Sequence, residues 1–364
     1  MKMRARWLTA ALAGCMLAGT GAIAVAAAAS QPAAMQPAAG PVPAGFKPVS
    51  VTFVSASHGW VLGTAPCTHK PCTSVVRTTD GGRHWEGIPA PSFRLASFPG
   101  TRGLDRLRFA DASDGFAFGS QLWVTHNGGS HWYRVTQVPG YIADLEASAG
   151  LVYAASEKSG HLTIYRSPAG TDAWHRVTGL PVLPDSGGGL GTITLHGTAA
   201  WIILGSRLYS GRTGAHWSAD SVRCPSGWGM DSAAAYSSSR VSLLCSGDPG
   251  LGQTLKRVYA STDGGARFTR AGAAPSGGDG GVLAQPGPRH VFVATASGAT
   301  WIYASSNGGK SWHMPLTLDD GGKGWSDFGF TTAAQGVAVE GTPAEGSHLY
   351  LTRDAGARWS RISF

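Results

Sequence analysis

The sequence predicts an all-β fold, a seven-bladed β-propeller of four-stranded antiparallel blades. Three observations predict it. One eight-residue pattern recurs seven times, its copies are spaced at blade length, and paired apolar runs precede the copies.

The pattern is clearest in Thr78-Thr79-Asp80-Gly81-Gly82-Arg83-His84-Trp85, Thr125-His126-Asn127-Gly128-Gly129-Ser130-His131-Trp132 and Ser305-Ser306-Asn307-Gly308-Gly309-Lys310-Ser311-Trp312. The copy over 261–268 keeps Asp263-Gly264-Gly265 and closes with Phe268, and the copy over 352–359 keeps Asp354 and Gly356 around Ala355. Two copies are degenerate: 167–174 has Ala169 in place of the acid, and 210–217 has Arg212. The closing aromatics Trp85, Trp132, Trp174, Trp217, Phe268, Trp312 and Trp359 follow one another at 47, 42, 43, 51, 44 and 47 residues. Asp80, Asn127, Asp263, Asn307 and Asp354 are assigned a structural role. Their short side chains satisfy turn N–H groups while glycine supplies positive φ, so each segment closes a tight hairpin and its aromatic packs on the blade. Losing the acid in two copies costs about 1 kcal/mol each and should leave the ring folded.

Ahead of the boxes lie two apolar runs around a polar turn. Val51-Thr52-Phe53 leads to Gly59-Trp60-Val61-Leu62-Gly63, and Leu107-Arg108-Phe109 leads to Gly115-Phe116-Ala117-Phe118-Gly119. With one strand on either side of each box, every repeat holds four short strands, and a period in the mid-forties is that of a propeller blade. A pair of β-sandwiches or a parallel β-helix does not require a hairpin at every such interval. The first repeat begins on its inner strand and the last ends on an outer one at 360–364, so Phe46-Lys47-Pro48 is expected to supply a closing outer strand.

From about Val49 to the end, these boxes resemble the Asp-box, or BNR-repeat, propeller superfamily. Sialidases carry such boxes, and similarity to them implies three arginines clamping a carboxylate, a tyrosine nucleophile activated by a glutamate, and an aspartate acid/base. The chain departs from that pattern. The family's Arg-Ile-Pro signature is missing, Phe93-Arg94-Leu95-Ala96 echoes it poorly and follows the first box, and no glutamate is set against a tyrosine. The Gly-Trp-Val-Leu-Gly and Gly-Phe-Ala-Phe-Gly runs look most like the noncatalytic branch, which includes photosystem-assembly-factor-like propellers. That resemblance implies binding of protein partners.

The N-terminal region reads separately. Lys2, Arg4 and Arg6 precede an apolar run and the small residues of 26–30, so 1–30 is expected to be a secretory signal peptide. Leu12-Ala13-Gly14-Cys15 as a lipobox that anchors the chain through Cys15, or uncleaved anchorage by the same segment, are the competing readings. Residues 31–48 form a Pro/Ala-rich linker and 49–364 the propeller. No later segment could span a bilayer. The formal charge of +8 falls to +5 without the three basic residues of the signal, and its Lys and Arg are scattered rather than striped, which argues against nucleic acid. Cys67, Cys72, Cys224 and Cys245 remain in an exported chain. Of three possible connectivities, Cys67–Cys72 with Cys224–Cys245 suits the repeat. A metal site near His69 is the weaker reading, and neither a metal nor a cofactor is expected. Gly187-Gly188-Gly189 lacks the strand-to-helix context of a phosphate loop.

In a four-stranded blade the box hairpin joins strands three and four, so function is expected on the opposite face. The long loops of that face offer Arg94, Arg102, Asp105 and Arg106, then Asp185, then Arg223, Trp228 and Asp231, then Asp279, and finally Asp319, Asp320, Lys323 and Trp325. Trp228 and Trp325 are the candidates for stacking on a sugar or anchoring a protein. A paired-carboxylate glycosidase could use Asp231 with Asp319 or Asp320. The expected function is therefore a secreted, monomeric binding module for a protein or carbohydrate outside the cell, with a sialidase-type hydrolase as the alternative.

Overall fold

In the computed structural model, which describes residues 39–364 apart from 68–70, 182, 185–190 and 213–215, seven antiparallel sheets stand around one axis. The first is typical. Lys47–Phe53, Gly59–Pro66, Pro71–Thr78 and Glu86–Ile88 pair in chain order, each with the next. The inner strands of the later blades are Leu104–Phe109, Tyr141–Ser148, Thr192–His196, Gly229–Ala235, Asp279–Ala284 and Trp325–Phe330. Each touches the inner strand of the blades before and after it, and the last touches the first, so the ring is closed.

Two blades depart from four strands. The third gains a short pairing of Leu183–Pro184 with His161 and Leu162. The sixth counts three because Val291–Ser305 is continuous: its first part pairs with Asp279–Ala284, and its later part, from Gly298 at φ +67°, pairs with His313–Gly321.

The second strand of a blade has neighbours on both edges and another blade on either face. It is apolar for that reason, and Gly115–Gly119 (GFAFG) and Ala199–Leu204 (AAWIIL) are buried throughout. Seven apolar clusters result, one at each junction between blades. The box aromatics obey one rule: each packs into the junction with the preceding blade. Trp132 joins Trp60 of blade one and Phe109 of its own blade, Trp174 joins Phe116 of blade two, and Trp85 enters the junction with blade seven.

The boxes themselves have the geometry their residues require. Asp80 Oδ1 accepts the N–H groups of Arg83 (2.9 Å) and His84 (3.0 Å), and the Thr78 hydroxyl accepts that of Gly82 (2.8 Å). Asn307 and Ser305 repeat the arrangement, and Asp263 and Asp354 each accept the N–H four residues on. Asn127 does likewise with His131. Gly81 and Gly82 sit at φ +76° and +82°, a region L-residues avoid. In the degenerate third box the Thr171 hydroxyl accepts the Ala173 N–H (3.4 Å), a partial substitute for the missing acid.

Ring closure differs from the expectation. Lys47 and Pro48 lie in the inner strand of blade one rather than in an outer strand, so no blade shares strands from both ends of the chain. Instead Gly40 exchanges two hydrogen bonds with Gly87 at the outer edge of blade one (2.9 and 2.8 Å). Blades seven and one meet side by side. Val337, Val339, Leu349 and Leu351 pack on Val51, Phe53, Val61 and Val76, and the Phe46 and Phe364 rings lie 4.9 Å apart. Ser326 Oγ donates to Val49 O (2.9 Å), Ser347 Oγ to Pro48 O (2.5 Å) and Arg353 Nη2 to Gly81 O (2.5 Å) across the same seam.

Among the described residues no helix is long and apolar enough to cross a membrane. The signal-peptide region, Cys15, His69, Asp185 and Gly187-Gly188-Gly189 lie outside the described residues.

Candidate functional site

The inner strands all start at the face opposite the boxes, and their alternate side chains turn toward the axis. The result is an axial cavity of 370 Å³ lined by blades two to seven, including Arg106, Arg108, Asp144, Glu146, Asp231 and Asp327. Arg108 organises it. Its Nε contacts Glu146 Oε1 at 3.0 Å, while Nη1 and Nη2 reach Asp327 Oδ2 and Oδ1 at 2.9 and 3.2 Å. Asp327 Oδ2 also accepts the Ser50 hydroxyl (2.6 Å) and the Val51 N–H (3.0 Å). One carboxylate of blade seven thus joins blades one and two, and Arg108 carries the link to blade three. Asp144 extends it to blade four by accepting the Ile193 N–H at 2.7 Å.

Burial and charge pull these groups in different directions. Burial opposes ionisation of Asp327, but Arg108 outweighs it and holds the carboxyl below its ordinary value. For Glu146 burial prevails over Arg108 and pushes the carboxyl up to about 7. Asp144 is raised by burial too, and Asp231 is pushed up to about 6 by the same cause.

The residues singled out from sequence divide into three groups. Arg106, Asp231 and Trp325 line the axial cavity together. The Trp325 indole N–H donates to Trp301 O at 3.0 Å and its ring meets Tyr350 edge-on, so it also builds the junction between blades six and seven. A second group lies elsewhere on the same face. Trp228 packs on Gly247, donates to Asp248 Oδ2 (3.1 Å) and carries the Arg257 guanidinium 4.7 Å above its ring. Arg94 and Arg102 are exposed, and Arg94 Nε donates to Arg102 O at 3.1 Å. Lys323 lies 3.7 Å from Glu340, Asp319 is exposed in the outer strand of blade six, and Asp279 opens that blade's inner strand. The third group is committed to the scaffold. Arg223 Nη1 donates to Asp220 O and Val222 O, Asp320 Oδ1 accepts Thr300 Oγ1 and the Gly322 N–H, and buried Asp105 accepts the Tyr141 hydroxyl at 2.6 Å.

Sequence reasoning passed over Arg108, Asp144, Glu146 and Asp327 as site residues. The signal was present: each is a charge at an axis-facing position in a strand whose remaining positions are largely apolar, as in Asp144-Leu145-Glu146.

An apolar pocket of 510 Å³ opens on the same face where blades seven, one and two meet. Its lining includes Pro66, Cys67, Leu95, Phe98, Pro343 and Ala344. The Cys67–Cys72 disulfide braces one wall. Phe98 stands on another, 63% exposed at the tip of a tight turn. That turn is held firmly: Thr101 N and Oγ1 both donate to Phe98 O, Gly100 N donates to the Tyr141 hydroxyl, and Gly103 N donates to Ser120 Oγ. Cys224–Cys245, the second disulfide, runs from the connection between blades four and five to the fully buried Cys245. Two disulfides point to an oxidising, extracytoplasmic compartment.

No protein-family model matches the chain, and no curated protein matches it. Solved structures do. YCF48 bound to D1 peptide is 17% identical with a TM-score of 0.56 over 86% of this chain and 96% of that one. The protein is similar in fold to YCF48. YCF48 from Cyanidioschyzon merolae is 18% identical with a TM-score of 0.59, covering 87% of this chain and 98% of that one. A prolyl endopeptidase is 14% identical with a TM-score of 0.57, covering 86% of this chain and 50% of that one. Likeness at such identities shows a shared fold.

Proposed function

We propose that this propeller is an exported binding module that takes a protein segment on the face opposite its boxes, with the apolar pocket beside Phe98 as the principal contact. One observation carries the reading: a large apolar ring is presented to solvent on a turn locked by hydrogen bonds, beside a preformed pocket of 510 Å³. An exposed aromatic gains buried area on binding, and a rigid turn spares the entropy of ordering it. That a solved YCF48 structure holds a peptide supports protein over glycan as the partner class. The axial cavity is lined by two arginines and, among the described residues, no tyrosine, which favours binding over sialidase-type hydrolysis.

The test uses the mature chain from about Ser30, with a photo-crosslinking residue at position 98 and extracytoplasmic extract as the source of partners. A discrete cross-linked protein whose affinity for the purified chain falls at least tenfold on Phe98→Ala is the expected result. An affinity untouched by Phe98→Ala, or turnover of a fluorogenic sialoside, would overturn the reading.

A further inference from the structure

The axial cavity holds charged groups that the scaffold does not use. Arg108 is spent on Glu146 and Asp327. Both oxygens of Asp327 are occupied, by Arg108 and by the Ser50 hydroxyl and the Val51 and Phe328 N–H groups. Asp144 gives one oxygen to Leu145 N–H and the other to Ile193 N–H. Glu146 accepts Arg108 Nε on Oε1, and burial outweighs that contact and holds its carboxyl up to about 7.

Arg106 and Asp231 are charged lining groups with hydrogen-bonding capacity to spare, and the Thr192 hydroxyl of the same lining also lacks a partner. The Arg106 guanidinium makes no hydrogen bond and no ion pair within 4.0 Å among the described residues, although it lies in the field of Asp105, Asp144 and Asp327. Asp231 receives the Ser246 hydroxyl on Oδ1 (2.8 Å) and lies in the field of buried Lys256, while its buried Oδ2 has no hydrogen-bond partner. Four other carboxylates, Asp105, Asp220, Asp320 and Glu340, also bury an oxygen without a hydrogen-bond partner, but among the described residues only that of Asp231 belongs to the lining of the axial cavity. Arg106 belongs to blade two and Asp231 to blade five, which the order of inner strands places on opposite sides of the axis. Between them lies a cavity of 370 Å³, within the range of roughly 300–1,000 Å³ for small-molecule sites.

We propose that the axial cavity binds a dipolar ligand of short-peptide size, its carboxylate on Arg106 and its ammonium on Asp231. Their placement in blades on opposite sides of the axis selects the class. Charges held on opposite walls suit a ligand whose own charges are at its two ends, as in a tripeptide with free termini, which spans about 10 Å when extended. This site is separate from the Phe98 pocket and does not depend on it.

The probe is triglycine, titrated by calorimetry into the mature chain beside N-acetyl-triglycine and triglycine amide. Triglycine is expected to bind saturably with one site, and blocking either terminus is expected to weaken it at least tenfold. Asp231→Asn should abolish the penalty for acetylation and Arg106→Met the penalty for amidation, with melting curves confirming that each variant is folded. Absence of saturable binding, equal binding of all three peptides, or a capping penalty untouched by these substitutions would overturn the proposal. If a variant does not fold, the three peptides on the unaltered chain still decide it. Triglycine binding that fails while Phe98→Ala still weakens partner capture would remove this site alone.

Discussion

Arg108 is the residue on which most of the axial network turns. Its guanidinium satisfies a carboxylate whose side chain is only 5% exposed, and removing it leaves Asp327 charged and without its ion-pair partner. Arg108→Met should therefore lower stability by about 3–5 kcal/mol, read as a fall in the urea midpoint. The two acids beside it act oppositely with pH. Asp327, held below its ordinary value of 3.8, contributes stability above that value and loses it as the pH falls through its folded value. Glu146 keeps its proton up to about 7 when folded against 4.5 in the open chain, so the native state binds the extra proton and stability declines as pH rises between those values. Glu146→Gln should make that decline shallower in melting temperatures recorded across the interval. The sequence marked these positions only faintly as a site. A charge on a strand reads first as a solvated surface, and only the closure of seven inner strands on one axis turns Arg108, Glu146 and Asp327 inward together.

At the scale of the element, the boxes were the legible part. A turn that needs glycine at positive φ and a carboxylate over its N–H groups leaves a local signature, and local signatures survive in one sequence. Thr78 shows how much such a turn rests on its first residue: it is buried, and its hydroxyl accepts the Gly82 N–H. Thr78→Val should cost about 1–3 kcal/mol in denaturant titrations, because it strands a buried donor while keeping the side-chain volume. The disulfides were legible for a related reason, since each joins neighbouring segments. Cys224–Cys245 closes a separation of 21 residues and Cys67–Cys72 one of 5. Replacing Cys224 and Cys245 by alanine should cost about 3 kcal/mol, and replacing Cys67 and Cys72 should cost less, both read as melting shifts that reductant does not change further. The pocket beside Phe98 left no comparable trace. Its walls come from positions as distant as Pro66, Phe98 and Pro343, which only the meeting of three blades brings together.

For the whole molecule, the repeat spacing predicted seven blades correctly, but not how the first meets the last. The expected outer strand at 46–48 assumed that a ring must interlace its ends. This ring does not, because the apolar faces of blades seven and one and three hydrogen bonds to backbone carbonyls make a junction like the other six. A blade built from one continuous stretch has no privileged starting point. A circular permutant that joins Phe364 to Phe46 through a short glycine linker and opens between Ala219 and Gly229 should fold as a monomer and melt cooperatively, as judged by circular dichroism and light scattering. Failure to fold would mean that the present order of blades is needed for assembly.

The pairing of Gly40 with Gly87 sets how the molecule would respond to traction. Force applied at Ala39 reaches the propeller at its rim, through two hydrogen bonds in a row with no longer ladder behind them, and then along 41–46 to the seam where Phe46 and Phe364 touch. The first event under load would be a peeling of that strap from the rim, a small extension that yields before any sheet is sheared. A tethered copy would therefore have a compliant joint between its point of attachment and a body that stays rigid.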